Sequence, residues 1–111
     1  MELSQRGDLV TIALQGDFGK PRPALVIQSD FFKAHPSVTV LPVTSDVRDT
    51  PLFRVSIGPG SGTGLLKPSQ VMVDKSMTVA RDKLGATFGR ADDATMLEVE
   101  RCLAVFLGIA S

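Results

Sequence analysis

The chain has 111 residues, of which 43% are hydrophobic and 22% are charged, and its formal net charge is zero. A neutral chain is not expected to coat nucleic acid indiscriminately, and a single cysteine excludes an internal disulfide and a thiolate-cluster metal site. The length predicts one domain over residues 1–111, and the first residues lack a signal-peptide pattern, so we expect a cytoplasmic protein without a membrane segment.

Seven short strands are predicted from runs of apolar and β-branched residues separated by turn residues. A helical turn capped by Ser29 and ended by Pro36 follows the second run. Pro42 marks an edge or a bulge near the end of the third run. The strands fall at residues 9–14, 24–27, 38–43, 53–57, 70–73, 78–80 and 87–89. This spacing predicts a small barrel or a strongly curved antiparallel sheet.

The C-terminal part changes to a helical period. Apolar residues recur three or four positions apart after Asp92 and Asp93, and acids in a first turn suit the helix dipole. The predicted apolar face consists of Met96, Val99, Leu103 and Phe106. Gly108 is placed to end this helix.

The charge is unevenly distributed along the chain, because residues 1–90 hold 11 Lys/Arg and 8 acids whereas residues 91–111 hold one Arg and four acids. A mildly basic body permits a local anionic ligand.

Arg22 stands between Pro21 and Pro23, directly before an apolar strand. Each proline fixes its own φ and restricts the residue before it, so Arg22 is held on stiff, extended backbone. Two interpretations are open at this point, a solvated loop charge and a guanidinium presented for binding or catalysis. Thr44 and Ser45 offer a similar choice, since hydroxyls at a strand end form either an ordinary turn or part of a site.

Other motifs carry less chemistry. The loop GPGSGTG at 58–64 is followed by two leucines before Lys67, which departs from a phosphate-binding GxxxxGK[ST] loop and indicates a flexible hairpin connection. His35 is the only histidine and is interpreted as an exposed loop residue, and Cys102 as a helical packing residue. The acids are scattered singly, so neither a metal site nor a cofactor is expected.

Taken in order, five blocks of this chain resemble the MazF/PemK-type toxins. They are Arg6–Val10 (RGDLV), Arg22–Asp30 (RPALVIQSD), Leu41–Ser45 (LPVTS), Gly64–Ser69 (GLLKPS) and the segment from Thr78 to the terminal helix. The resemblance implies a mainly β fold, an SH3-like antiparallel barrel with a C-terminal helix of CcdB/PemK-like type, acting as a homodimer. It also implies a type II toxin that is neutralised by an acidic, partly disordered antitoxin.

Members of this family cleave single-stranded RNA without a metal, by attack of the ribose 2′-OH on the adjacent phosphate. The resemblance makes Arg22 and Thr44 the catalytic pair. It also implies RNA contacts by Asp17, Lys20, Ser45, Lys67 and Ser69. Lys67 and Ser69 stand where the PemK branch has an arginine and an aspartate that act as acid and base, so the proton acceptor is unassigned.

Two alternatives remain open. A CcdB-like gyrase poison shares the fold but lacks the RP and TS blocks and acts through its C-terminal tail. A catalytically weak barrel that only binds an antitoxin would be consistent with Ser69 in place of the expected carboxylate.

Overall fold

Seven strands and one C-terminal helix form the part of the chain that the structure, a computed structural model, describes, residues 3–13 and 20–110. The elements are β1 (Asp8–Ile12), β2 (Arg22–Val26), β3 (Ser37–Thr44), β4 (Arg54–Ile57), β5 (Ser69–Met72), β6 (Met77–Ala80), β7 (Leu84–Arg90) and α1 (Asp93–Phe106). Three short 3₁₀ turns connect them, at Asp30–Phe32, Val73–Lys75 and Arg81–Lys83.

The strands pair antiparallel in the order β4-β5-β3-β2-β1-β7, and β6 pairs with the first half of β3. This arrangement confirms the predicted mainly β fold with a C-terminal helix. The ladder is open within the described ranges, because β4 and β7 stand at its two ends without pairing to each other.

Pro42 lies in a central strand, at a place that tolerates a residue without a backbone N–H. The first half of β3 pairs with β6 and its last residues pair with β5. Leu41 and Pro42, between these two segments, pair with β2 alone in the ladders of the described residues. The missing donor therefore falls where one side of β3 changes partner, rather than at the edge strand or bulge that the sequence predicted.

Alternation along the strands divides the core into two clusters. On β2, Leu25 belongs to one cluster while Ala24 and Val26 belong to the other, and all three are buried. The larger cluster includes Val99 of α1, with Met96 packed against it. Both faces of β2 are thus covered at Ala24–Val26, as expected of consecutive apolar residues in a strand.

Capping residues fix both ends of α1. The Asp92 side chain accepts a hydrogen bond from the Thr95 backbone N–H, which lowers the pKa of the Asp92 carboxyl. Gly108 follows the helix with φ of 76°, a conformation that favours glycine. Phe106, the last residue of the predicted apolar face, is 50% exposed in this chain. Leu103 is the last residue of α1 that packs against the larger core cluster.

Of the described helices, none is long and apolar enough to cross a membrane.

Candidate active site

Arg22 and Thr44 lie at matching ends of two neighbouring strands. The β2–β3 register pairs Val26 with Val40 and Ala24 with Pro42. Continued to the strand ends, this register brings Arg22, the first residue of β2, opposite Thr44, the last residue of β3. On its other side Arg22 pairs with Ile12 of β1. The arginine between two prolines is therefore part of the sheet.

An open groove of about 440 Å³ contains both side chains. Its floor comes from strand ends and its wall from the connection between β4 and β5 and from Phe88 of β7. The lining residues with polar or charged side chains are Thr11, Arg22, Thr44, Ser45, Lys67 and Ser69. The other lining residues have apolar side chains or none, and they include Leu65, Leu66 and Phe88.

The β4–β5 connection is fixed against the sheet at Gly64. This glycine has φ of +70°, and a Cβ added there would overlap the Phe88 carbonyl oxygen. Its backbone N–H donates to the Gly60 carbonyl at 2.7 Å, and the Gly62 carbonyl accepts from Arg90 at 2.9 Å. The glycine-rich loop is thus a hairpin connection, as predicted, and it is held close to β7. Leu65, Leu66 and Lys67 reach the groove from this anchored backbone.

Hydroxyl groups in the groove have defined partners. The Thr44 Oγ1 atom accepts from the Asp46 backbone N–H at 3.0 Å. One lone pair is thereby used, and the Thr44 O–H is left to donate. The Ser69 hydroxyl donates to the Lys67 carbonyl at 2.9 Å, and Ser69 is buried. Ser69 therefore supports the backbone of the residue that brings the second cation.

Two cationic side chains line the groove. Arg22 and Lys67 are exposed there, and no carboxylate lines the groove among the residues that the structure describes. The nearest acid along the chain, Asp46, makes an ion pair with Arg48 at 2.8 Å. Two cations beside donor hydroxyls fit a phosphate group or another anion of similar size.

The groove collects five of the seven residues that the sequence singled out, namely Arg22, Thr44, Ser45, Lys67 and Ser69. Lys20 is exposed but is not part of the groove lining. Asp17 lies outside the described residues.

Sequence reasoning missed a polar cluster behind the groove. Gln70, buried on β5, accepts hydrogen bonds from the Arg48 backbone N–H at 3.0 Å and from Arg54 Nη1 at 2.9 Å. Its Nε2 donates to the Arg48 carbonyl at 2.8 Å. The sequence offered little signal for this cluster, because Gln70 stands at the start of the predicted strand, where a polar residue is ordinary.

A larger open groove of about 610 Å³ lies beside β1 and β7. Its cation, Arg90, makes an ion pair with Asp8 at 2.5 Å, so the arginine charge is balanced within the groove. We assign the site to the smaller groove because Arg22, Lys67 and the hydroxyls of Thr44 and Ser45 converge there.

The remaining candidate residues have structural partners. His35 is exposed, and its Nδ1 accepts from the Ser37 backbone N–H at 3.1 Å. The Cys102 thiol donates to the Leu52 carbonyl at 3.0 Å. Burial raises the pKa of the Cys102 thiol, and the Asp74 carboxylate raises it further. Across residues 3–13 and 20–110, no three His, Cys, Asp or Glu side chains come together in a possible metal site.

The fold and the groove define a class of protein, a small antiparallel sheet with a C-terminal helix and a groove at its strand ends that is lined by two cations and several hydroxyls. The model of the family described as PemK-like, MazF-like toxin of type II toxin-antitoxin systems matches residues 5–107. The chain belongs to this family, which confirms the resemblance found in the sequence.

Individual relatives agree with this assignment. The chain is 48% identical over 107 residues to a protein of Mycolicibacterium smegmatis described as a probable endoribonuclease MazF, covering 96% of this chain and 98% of the relative. A mycobacterial endoribonuclease in complex with its cognate antitoxin is similar with a TM-score of 0.81 and 26% identity, over 97% of this chain and 98% of that one. A MazE–MazF complex from Deinococcus radiodurans shares the fold, with a TM-score of 0.80 and 22% identity over 99% and 100% of the two chains.

Proposed function

We propose that this protein is an endoribonuclease toxin that cleaves single-stranded RNA at selected short sequences without a metal ion. The observation that carries the proposal is the convergence of Arg22, Thr44 and Lys67 in one groove. Membership of the MazF-like family and 48% identity to a relative named as an endoribonuclease support it. We further propose that the products carry a 2′,3′-cyclic phosphate and a 5′-OH.

The reaction requires a new bond from the ribose 2′-oxygen to phosphorus as the bond from phosphorus to the 5′-oxygen breaks. The 2′-OH loses a proton, and the departing 5′-oxygen gains one, so atoms and charge balance between RNA and water. Negative charge grows on the nonbridging oxygens and on the 5′-oxygen during this exchange. Catalysis therefore depends on groups that stabilise such charge and are already in place before it develops.

Arg22 is the group best suited to that task. Its guanidinium presents a planar fork of donors that matches two phosphate oxygens. Because the residue lies within a paired strand and beside prolines, its backbone needs little ordering when substrate binds. We assign Arg22 the nonbridging oxygens and the developing 5′-oxygen charge. Thr44 donates its hydroxyl to a nonbridging oxygen from the neighbouring strand end.

RNA binding is assigned to the residues around this pair. Lys67 provides a second cation for a flanking phosphate, and Ser45 a hydroxyl beside Thr44. Ser69 acts by supporting the Lys67 backbone. We retain Lys20 and Asp17 as proposed contacts for RNA that extends past the groove.

The proposal is tested by incubating the purified protein with an mRNA in excess EDTA. We expect discrete fragments whose 5′ ends accept phosphate from a kinase, and cleavage by the Arg22→Ala variant that is slower by about 10²–10³-fold. Intact RNA, or cleavage by Arg22→Ala at the wild-type rate, would contradict the proposal. Intact RNA together with tight antitoxin binding would favour the non-enzymatic alternative, and inhibited supercoiling would favour a gyrase poison.

We also propose that a cognate antitoxin, acidic and partly disordered, covers the groove and blocks Arg22 in the cytoplasm. The positive lining and the complex formed by the similar mycobacterial endoribonuclease support this partner. Cleavage that persists at saturating antitoxin would contradict direct blocking.

A homodimer is proposed as the active form, with the exposed apolar side chains at the end of α1 as the candidate interface, namely Val105, Phe106, Leu107 and Ile109. Light scattering checks the oligomeric state.

A further inference from the structure

Gln70 is directly paired with Thr44 across the β3–β5 ladder. Its side chain is buried, with the residue 7% exposed, yet none of its atoms lines the groove. A buried side-chain amide of this kind requires hydrogen-bond partners. The partners therefore identify the segment of the chain that Gln70 stabilises.

The partners of Gln70 all belong to the segment that follows Thr44 or fix that segment. The carboxamide makes two hydrogen bonds with Arg48, accepting from its N–H and donating to its C=O. The Gln70 carboxamide thereby satisfies both backbone polar groups of Arg48, as a neighbouring strand would. Its oxygen also accepts from Arg54 Nη1, and the same nitrogen donates to the Asp46 carbonyl at 2.8 Å.

This set of bonds continues to the Thr44 hydroxyl. The Asp46 backbone N–H donates to Thr44 Oγ1, and the Asp46 carbonyl is held by Arg54. With Asp46 fixed, one lone pair of the Thr44 oxygen is occupied in a constant direction. The hydroxyl hydrogen is then restricted to the remaining directions, and it is this hydrogen that Thr44 has to present to a phosphate oxygen.

We propose that Gln70 is a positioning residue for RNA cleavage, which fixes the segment 45–48 and thereby the donor direction of the Thr44 hydroxyl. The inference rests on the proposed function, in which Thr44 stabilises the transition state. Gln70 itself touches no substrate, so its effect falls on the rate of the chemical step more than on RNA binding.

The chain offers a matched control in Gln28. Its side chain also makes three hydrogen bonds, donating to the Phe32 and Ser37 carbonyls and accepting from the Thr39 N–H. Those bonds fix the turn at the far end of the β2–β3 pair. Replacing either glutamine by leucine removes the same number of hydrogen bonds from a loop at one end of the same strand pair.

The experiment measures single-turnover cleavage of a short RNA by Gln70→Leu and Gln28→Leu at temperatures where both are folded. We expect Gln70→Leu to lower the single-turnover rate constant at saturating enzyme by about 10- to 100-fold, since small misplacements of catalytic groups have effects of that size. The enzyme concentration that gives the half-maximal rate should be nearly unchanged. Gln28→Leu should stay within about twofold of wild type. In a Thr44→Val background, Gln70→Leu should cause no additional loss, because the two residues then act as one unit.

Two further measurements keep the test decisive. Gln70→Glu keeps the acceptor contacts and loses the bond to the Arg48 carbonyl, so it should fold and show an intermediate loss. Hydrogen exchange should be faster at the Asp46 and Arg48 amides in Gln70→Leu, and at the Thr39 amide in Gln28→Leu.

Equal losses in both leucine variants, or a full extra loss in the Thr44→Val background, would overturn the proposal. Unchanged exchange at Asp46 and Arg48 would overturn it as well. If wild-type protein leaves RNA intact, the proposed function fails, and the exchange rates still show whether Gln70 fixes this segment.

Discussion

The two ends of the β2–β3 pair are built alike but carry different chemistry. At each end, a glutamine with three side-chain hydrogen bonds fixes the adjoining loop, Gln70 at one end and Gln28 at the other. The groove end gathers Arg22, Thr44 and Lys67. The turn end carries the 3₁₀ turn Asp30–Phe32.

Aromatic side chains dominate the turn end. Phe31 is 87% exposed, and its ring meets the Phe32 ring edge-to-face with centroids 4.9 Å apart. Lys33 is exposed beside them. An exposed cation is therefore present at both ends of the strand pair. The turn end also has a pocket, lined by Lys33, Arg81 and the acid Asp30, but this pocket has almost no free volume. At the groove end, Arg22, Lys67 and donor hydroxyls surround about 440 Å³, so a group of phosphate size has room there.

The largest expected effect comes from removing the groove cation. Arg22→Ala should lower kcat/KM by about 10²–10³-fold, because one pre-organised donor to developing charge contributes that much. Arg22→Lys should restore activity only in part, since an ammonium lacks the planar fork. The matched variant at the turn end, Lys33→Ala, should stay near the wild-type rate. Similar losses for Arg22→Ala and Lys33→Ala in a cleavage assay would remove the distinction between the two ends.

Thr44→Val should have the next largest effect, a loss of about 10- to 100-fold in kcat, as expected for one hydrogen bond to a charged group. Its control lies in the same strand. Thr39 bonds the Thr78 hydroxyl at 2.8 Å, on the half of β3 that leads to the turn end. Thr39→Val should leave the cleavage rate unchanged. Equal rates for Thr44→Val and wild type would contradict the role given to the groove hydroxyl.

Gly64→Ala should disturb the groove wall. The alanine needs a φ of +70° and meets the Phe88 carbonyl, so the loop must move. We expect unfolding free energy to fall by about 1 kcal/mol or more and kcat/KM by about tenfold, through displacement of the loop that carries Lys67. Gly58→Ala in the same loop meets no atom within 4 Å and should change neither quantity. Denaturant titration and a cleavage assay read both effects.

Lys67→Ala should give the smallest effect, a severalfold rise in KM with little change in kcat. A phosphate-binding cation contributes about one unit to the slope of log affinity against log salt concentration. The variant should therefore show a shallower salt dependence of RNA binding than wild type, while Lys33→Ala should keep the wild-type slope. An unchanged slope for Lys67→Ala would place the second phosphate elsewhere.

Much of the fold follows from local sequence, and its exceptions have tertiary causes. The alternation of Val55 and Ile57 with exposed Ser56 predicted β4 correctly. Only the last part of β7 was predicted, because Gly85 is a poor strand former. In the structure, Gly85 allows β7 to lie close to β1, since a Cβ at this position would overlap the Thr11 side chain of β1. Such close contact between strands has no local signature.

The groove was predictable to a smaller extent. The prolines around Arg22 indicated a rigid arginine. Its placement opposite Thr44 follows from the strand register, which local sequence does not reveal. The pairing of the two residues was therefore predicted only through the resemblance to a family. Lys20 was expected in the site and lies outside the groove lining. Gln70 was missed because a polar residue at a strand start is ordinary until the loop that covers it is known.

The central claim is that RNA is cleaved by its own 2′-OH at the groove end. The most direct measurement compares a cleavable oligonucleotide with the same molecule carrying a single 2′-deoxynucleotide at the cleaved position, followed by NMR of the bound state. We predict that the deoxy substrate binds equally well, resists cleavage completely, and shifts the amides around Arg22, Thr44 and Lys67. Cleavage of the deoxy substrate, or shifts confined to Phe31–Lys33, would contradict the account.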